Sequence, residues 1–204
     1  MEDDDLLAAV AAGDRSAFAA LFRRRRPEVY RFALHITGEP AAAEDVTQEV
    51  FIAVMRDASR YERGRSSVVA WLCGIARNQA RRRLERDKRL VAFNADEEDG
   101  PPGIEAAQVD PLADLTRAEG IESLRRAVLS LPLRYREAVV ACDLQELSYL
   151  DAAEALGCAV GTVRSRLHRA RALLASKLGA PARTAVQSRD DRSTEPRRAR
   201  MITI

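Results

Sequence analysis

The chain has 204 residues, room for one domain or two small ones, and 47% of them are hydrophobic, enough apolar material for a core. Lys+Arg 33 against Asp+Glu 31 leaves a net charge of only +2, so any message about partners lies in how charge is distributed. Aromatics are 5% while Ala, Leu, Arg and Glu abound. This composition favours helices over a sandwich or barrel, no apolar run nears the roughly 18 residues of a membrane span, and the acidic start MEDDD is unlike a secretory signal.

Residues 6–90 read as a compact block of four helices with short connections. Asp14 can cap a helix carrying Phe18, Leu21 and Phe22. Pro27 suits the first turn of the next helix, with Tyr30, Phe32, Ala33 and Ile36, which Gly38 and Pro40 end. A third helix covers about Ala41–Ser59. Val46, Val50, Ala53 and Val54 form one apolar stripe, and Phe51, Ile52 and Met55 a second, beside Asp45 and Gln48. A helix apolar on two sides is either buried on both or bound to a partner on one, and periodicity leaves both readings open.

The fourth helix follows the loop YERGRSS and extends to about Arg89. Val68, Leu72, Ile75 and Ala76 give it a core stripe, and Trp71 is partly packed. From Arg77 to Arg89 it carries seven bases against two acids. Tyr61 beside Arg63 and Arg65 offers an aromatic platform among cations, the combination that unpaired bases bind. A solvated basic helix is the plain alternative. The run Arg23–Arg26 receives no role.

Residues 91–120 change character. From Asn94 to Glu119 there are eight acids and one base, with Pro101, Pro102 and Pro111, so this stretch reads as a flexible acidic linker. A second helical block covers 121–178. There Leu131-Pro132 opens a helix whose Tyr135, Val139 and Val140 form a supporting core. Ser148 and Asp151 have capping-box spacing before YLDAAEALG, Gly157 is a natural C-cap, and a new helix starts four residues later. That is the pattern of a helix-turn-helix. At about 100° per residue, Val163, Leu167, Ala170 and Leu174 fall within about 60° of one another as a seam. Thr162, Arg164, Ser165, His168 and Arg169 lie on the other side. From Arg164 to Lys177 there are five Lys/Arg and no acid. Solvated faces mix signs; an acid-free basic face suits a major groove. The tail, 179–204, is basic and poor in large apolar residues, and reads as disordered.

Cys73, Cys142 and Cys158 are an odd number without a CxxC, which points to reduced cysteines rather than a disulfide framework or zinc site. No phosphate loop, dinucleotide fingerprint or metalloprotease motif occurs, and no His/Asp/Cys cluster suggests a catalyst.

EDVTQEVF, then Tyr61 and AWLCGIARN, then an acidic linker, then SLP and LSYLDAAEALG with VGTVRSRLHRAR, in this order, resemble an extracytoplasmic-function (group four) sigma factor of bacterial RNA polymerase. The match covers about 15–90 and 121–178. It implies an all-α chain of two small helical domains, sigma regions two and four, joined by a flexible acidic linker. It implies no enzymatic activity and no cofactor. Core RNA polymerase and promoter DNA are the implied partners, an anti-sigma factor a further one, and the cytoplasm the location. By resemblance Asp45, Gln48, Glu49 and Phe51 meet the β′ clamp coiled-coil, with a core role as the other reading of Phe51. The segment near Leu129–Leu133 meets the β-flap. Tyr61, Arg63, Arg65 and Ser66 belong to the loop that captures a flipped base of the −10 element, and Trp71, Arg77, Asn78 and Arg81 lie alongside that element. Thr162, Arg164, Ser165, Arg166, His168 and Arg169 read the −35 element. Departures are Arg81-Arg82 where Asp is common, Leu133 where Glu is common, and Gln145-Glu146 before the helix-turn-helix. A helix-turn-helix regulator acting without polymerase is the alternative, and the basic helix and loop of the first block argue against it. The acidic linker is expected to occupy a cationic polymerase channel and yield to nascent RNA.

Overall fold

The computed structural model describes the backbone of residues 2–95 and 113–178, and the side chains of 2–87 and 119–178. The expected disordered tail and most of the expected linker lie outside the described residues. Among those described, every regular element is helical: α1 (Asp3–Ala11), α2 (Arg15–Thr37), α3 (Pro40–Asp57), α4 (Val68–Ala95), α5 (Ala113–Leu129), α6 (Leu133–Val139), α7 (Tyr149–Leu156) and α8 (Val160–Lys177). A 3₁₀ turn follows α3, and a π-turn over Val140–Leu144 follows α6. Helix therefore reaches into both ends of the 91–120 stretch, through Ala95 and from Ala113.

The first block differs from the sequence reading in how its helices divide. Asp14 caps as expected, its Oδ1 accepting from Ser16 N–H at 2.7 Å and Ala17 N–H at 3.1 Å. The helix then runs through Pro27 without a break. Proline removes one backbone bond, here the one to the Arg23 carbonyl. Against that loss, Ala17 and Leu21 before it and Val29, Phe32, Ala33 and Ile36 after it are all buried. They form one stripe, so both halves must share an axis to stay in one core. Gly38, at φ 82°, ends the helix as a left-handed cap.

The extra helix is α1, from the acidic start. Glu2 N–H donates to Asp5 Oδ2 at 3.3 Å, and acids in a first turn complement the helix dipole. Leu6, Leu7 and Val10 enter the core. The unassigned basic run has a structural use: Arg24 and Arg25 both hold Asp3, and Arg26 Nη2 lies 3.0 Å from Glu44 Oε1.

In the second unit the seam Val163, Leu167 and Ala170 is at most 2% exposed, packed on Val139, Ala152 and Leu156. Ser148 Oγ accepts from Asp151 N–H at 3.0 Å, and Gly157 caps α7 at φ 57°, ψ 44°. The two units lie against each other. Arg136 reaches from α6 to the Ile36 carbonyl at 2.6 Å, and Arg125 from α5 to the Gly38 carbonyl at 2.9 Å. A Cβ on Gly74 would sit 3.5 Å from the Ala155 backbone, so α4 and α7 touch at a residue without a side chain.

Candidate nucleic-acid interface

The face of α8 is built as its spacing dictates. Burial of the seam turns Arg164, Ser165, His168 and Arg169 outward, with Thr162 half-buried at the first turn. Arg164 is braced, its guanidinium carbon 5.4 Å from the Tyr149 ring centroid on α7. Arg169 stands beside the Tyr135 hydroxyl, and that hydrogen bond, helped by Arg134, holds the phenol below its ordinary range. Arg166 departs from the group: it is half-buried, with Nη1 3.8 Å from Cys158 Sγ in the turn. Arg171 pairs with Asp143 across the unit, Nε to Oδ2 at 3.1 Å. The outward cations between Arg164 and Arg169 form one patch that meets no acid of its own helix.

The loop 61–67 is organised around Tyr61. Its hydroxyl lies 2.8 Å from both Asp4 Oδ1 and the Ser66 carbonyl, either of which can accept its proton. Its ring meets Trp71 edge-on at 5.7 Å. Burial, reinforced by Asp4, pushes the phenol up to about 12. Arg63 and Arg65 are exposed, Asn78 is exposed, and Trp71 is half-buried. Arg63 lies 3.3 Å from Asp5 of α1. Tyr61, Arg63, Arg65 and Ser66 line one cleft at the loop, Trp71, Arg77 and Asn78 line another along α4, and Arg81 further along α4 reaches Glu137.

On α3, Asp45 and Gln48 are exposed and Glu49 half-buried. Asp45 bonds Arg83 of α4, and Glu49 lines a shallow groove with Gln79, Arg82 and Arg86. Phe51 does not join them. It is 3% exposed, with its ring 4.8 Å from Phe22 and 6.3 Å from Phe18. The aromatic cluster claims it, so its role is in the core, and expecting it on a partner face is corrected. The outward apolar residues of α3 are Ile52 and Met55, 56% and 57% exposed. At 129–133, Leu131 is buried and the Leu129 δ-carbons press toward Gly38, while Ser130 and Pro132 are exposed and Leu133 is half-buried. The exposed apolar side chains nearby are Ile121 and Leu124 of α5.

Two family models match in the same order as these surfaces. Sigma-70 region 2 covers residues 21–90, and Sigma-70 region 4 covers 121–174. The ECF RNA polymerase sigma factor SigM of Mycobacterium tuberculosis is 39% identical over 178 residues, 87% of this chain and 85% of its own. SigE of Mycolicibacterium smegmatis is 34% identical, over 87% of this chain and 69% of its own. The chain belongs to the extracytoplasmic-function sigma factors. Among solved structures, the sigma factor RpoE of Bartonella quintana with the anti-sigma factor NepR matches at TM-score 0.63 and 28% identity, over 79% of this chain and 96% of that one. CnrH with the cytosolic domain of CnrY matches at TM-score 0.62 and 26% identity, over 87% and 97%. As a sigma factor the chain binds core RNA polymerase and directs it to promoters; it is not an enzyme, and the regulator acting without polymerase is not favoured.

Several residues that shape this sigma factor's surfaces escaped the sequence reading. Asp4 and Asp5 lie in a helix the sequence did not announce. Asp151 and Glu154 of α7 and Glu137 of α6 reach the first unit. Glu137 had a signal: it shares a helical face with Val140 and Ala141, where an acid has no reason to be unless a cation meets it.

Proposed function

We propose that the work of initiation divides among three surfaces of this chain. The outward face of α8, with Thr162, Arg164, Ser165, His168 and Arg169, enters the major groove of the −35 element, and Arg166 supports it from the turn. The loop with Tyr61, Arg63, Arg65 and Ser66 takes a flipped base of the −10 element. Trp71, Arg77, Asn78 and Arg81 line the adjoining strand. Asp45, Gln48 and Glu49, with Ile52 and Met55 beside them, dock on the β′ clamp, and α5 with residues 129–133 on the β-flap. An anti-sigma factor restrains the chain, since one similar solved structure is of a sigma factor bound to such a protein. No described helix is long and apolar enough to cross a membrane, and the site of action is the cytoplasm, where the polymerase works.

The observation that carries this reading is the acid-free cationic face on a helix-turn-helix, coupled through one chain to an aromatic loop flanked by arginines. Base flipping costs a few kcal/mol of unstacking, and stacking on an aromatic returns about 1–3 kcal/mol per base. The Tyr61–Trp71 pair can therefore offset much of it. The test is run-off transcription from a genomic promoter set with purified core polymerase. The full chain is expected to confer defined starts. Arg164→Ala together with Arg169→Ala is expected to abolish them on promoters needing a −35 element while retaining core binding. Starts unaffected by the double substitution would remove α8 from the −35 assignment.

A further inference from the structure

Beside the outward face of α8, two arginines from different helices share one phenol. Arg134 of α6 holds its guanidinium carbon 4.7 Å from the Tyr135 ring centroid, and its Nη2 lies 3.4 Å from the Tyr135 hydroxyl. Arg169 of α8 hydrogen-bonds the same hydroxyl. Both arginines are exposed, while Tyr135 itself is 9% exposed. Among the described residues neither arginine pairs with a carboxylate: the acids that follow on α6 and the π-turn, Glu137 and Asp143, are committed to Arg77 and Arg171. We infer, building on the −35 assignment of α8, that Arg134 and Arg169 form a clamp on one backbone phosphate at the edge of the −35 element. Tyr135 is its positioning residue, and Arg134 carries the DNA contact off the recognition helix onto α6.

Two cations gathered at one oxygen repel each other, and a phenol, as a neutral dipole, offsets that only in part. An anion between them removes the repulsion. A phosphodiester suits the pair, because guanidinium forks bind phosphate oxygens through charge-assisted hydrogen bonds. Placement favours the backbone over the bases. At about 100° per residue from Val163, Arg169 falls near 240°, toward one margin of the outward arc, and Arg164 falls near 100°, at the other. Ser165 and His168 lie between them. A helix in the major groove has its middle against base edges and a strand of phosphates along each side. Arg134, on a separate helix beside Arg169, extends that margin rather than the middle. The shared hydroxyl also restrains both long side chains before DNA arrives, so less of their freedom is lost on binding.

A phosphate contact depends on salt and not on sequence, and the test reads both. Holoenzyme is reconstituted from core polymerase with the full native chain or a variant. Its equilibrium binding is followed by fluorescence anisotropy, over a series of salt concentrations, on a promoter duplex with a defined start and on a copy whose −35 element is scrambled. Arg134→Ala, at an exposed side chain, should lower the slope of log affinity against log salt by about 0.9. At about 0.1 M salt that is a loss of about eightfold, by the same factor on both duplexes. Arg134→Lys keeps the charge and should restore most of the slope. Tyr135→Phe keeps the ring and both charges, and should weaken binding with the slope retained. If Arg134→Ala changes neither slope nor affinity while Arg164→Ala still weakens the promoter duplex, the clamp is overturned and the −35 assignment stands. If Arg164→Ala changes nothing either, the −35 assignment falls and the clamp with it. A loss confined to the promoter duplex would make Arg134 a reader of bases, and a loss of affinity for core polymerase with the DNA slope intact would make it a polymerase contact. Either result overturns the clamp.

Discussion

His35 shows how a single ring can make stability depend on pH. It lies near the end of α2, with Nδ1–H donating to the Arg31 carbonyl at 2.7 Å. Burial comes first in holding its pKa below the ordinary 6.5, with the nearby charges of Arg125 and Arg31 acting in the same direction. The folded chain therefore prefers the neutral ring. As pH falls below about 6.5 the unfolded chain takes up the proton first. Stability should be fully present above that value and decline below it, until the folded pKa is passed. His35→Gln keeps a donor and cannot titrate. Urea midpoints compared between pH 7.5 and 5.5 should fall more for the native chain than for the variant, and parallel falls would remove His35 as the cause. Burial acts the other way on thiols: Cys73, on the buried face of α4, is pushed up to about 12, which leaves it protonated at neutral pH and consistent with a packing role.

At the scale of elements, α7 and α8 were legible almost to the residue. Ser148, Gly157 and the seam Val163–Leu167–Ala170 are local signals, and each depends on neighbours within two turns. The first block was harder because a local signal was outweighed. Pro27 looks like a helix start, yet the stripe on both sides of it is one continuous core face. Only the packed structure reveals which consideration wins. The same imbalance makes a prediction. Pro27 is exposed, so its ring contributes little burial, while the Arg23 carbonyl lacks its intrahelical donor. Pro27→Ala restores that donor without creating a cavity. A mid-helix proline costs about 3 kcal/mol, partly recovered because proline restricts the unfolded chain. The variant should be more stable by about 1–2 kcal/mol in urea titrations with the same slope. A less stable variant would mean that α2 needs the geometry Pro27 imposes.

For the whole molecule, the sequence announced two units in the correct order but not their contact. The inter-unit groups include Gly74 and Ala155, Leu129 against Gly38, and charged side chains, none of which stands out in a one-dimensional pattern, and their partners lie on the far side of the acidic stretch. The chemistry of that contact also sets the order in which the structure comes apart. Within each unit the buried side chains are large: Leu21, Phe32, Ile36 and Leu72 in the first, Leu131, Leu156 and Leu167 in the second. Full burial of each such side chain is worth about 1.5–3 kcal/mol. Between units, α4 and α7 meet through small residues, Gly74 and Ala155, and the exposed ion pairs contribute weakly once salt screens them. The inter-unit seam should therefore open before either unit unfolds. Trp71, the one tryptophan of the chain, is well placed to report it, since it lines a cleft with Gly74 and Arg77 on its own helix and Glu154 and Ala155 across the seam. In a urea titration its fluorescence should change at lower denaturant than the far-ultraviolet circular dichroism that follows helix content. Added salt should move the fluorescence transition earlier and leave the dichroism transition nearly in place. If the two transitions coincide at every salt concentration, the units unfold as one cooperative body, and the seam is as strong as the cores it joins.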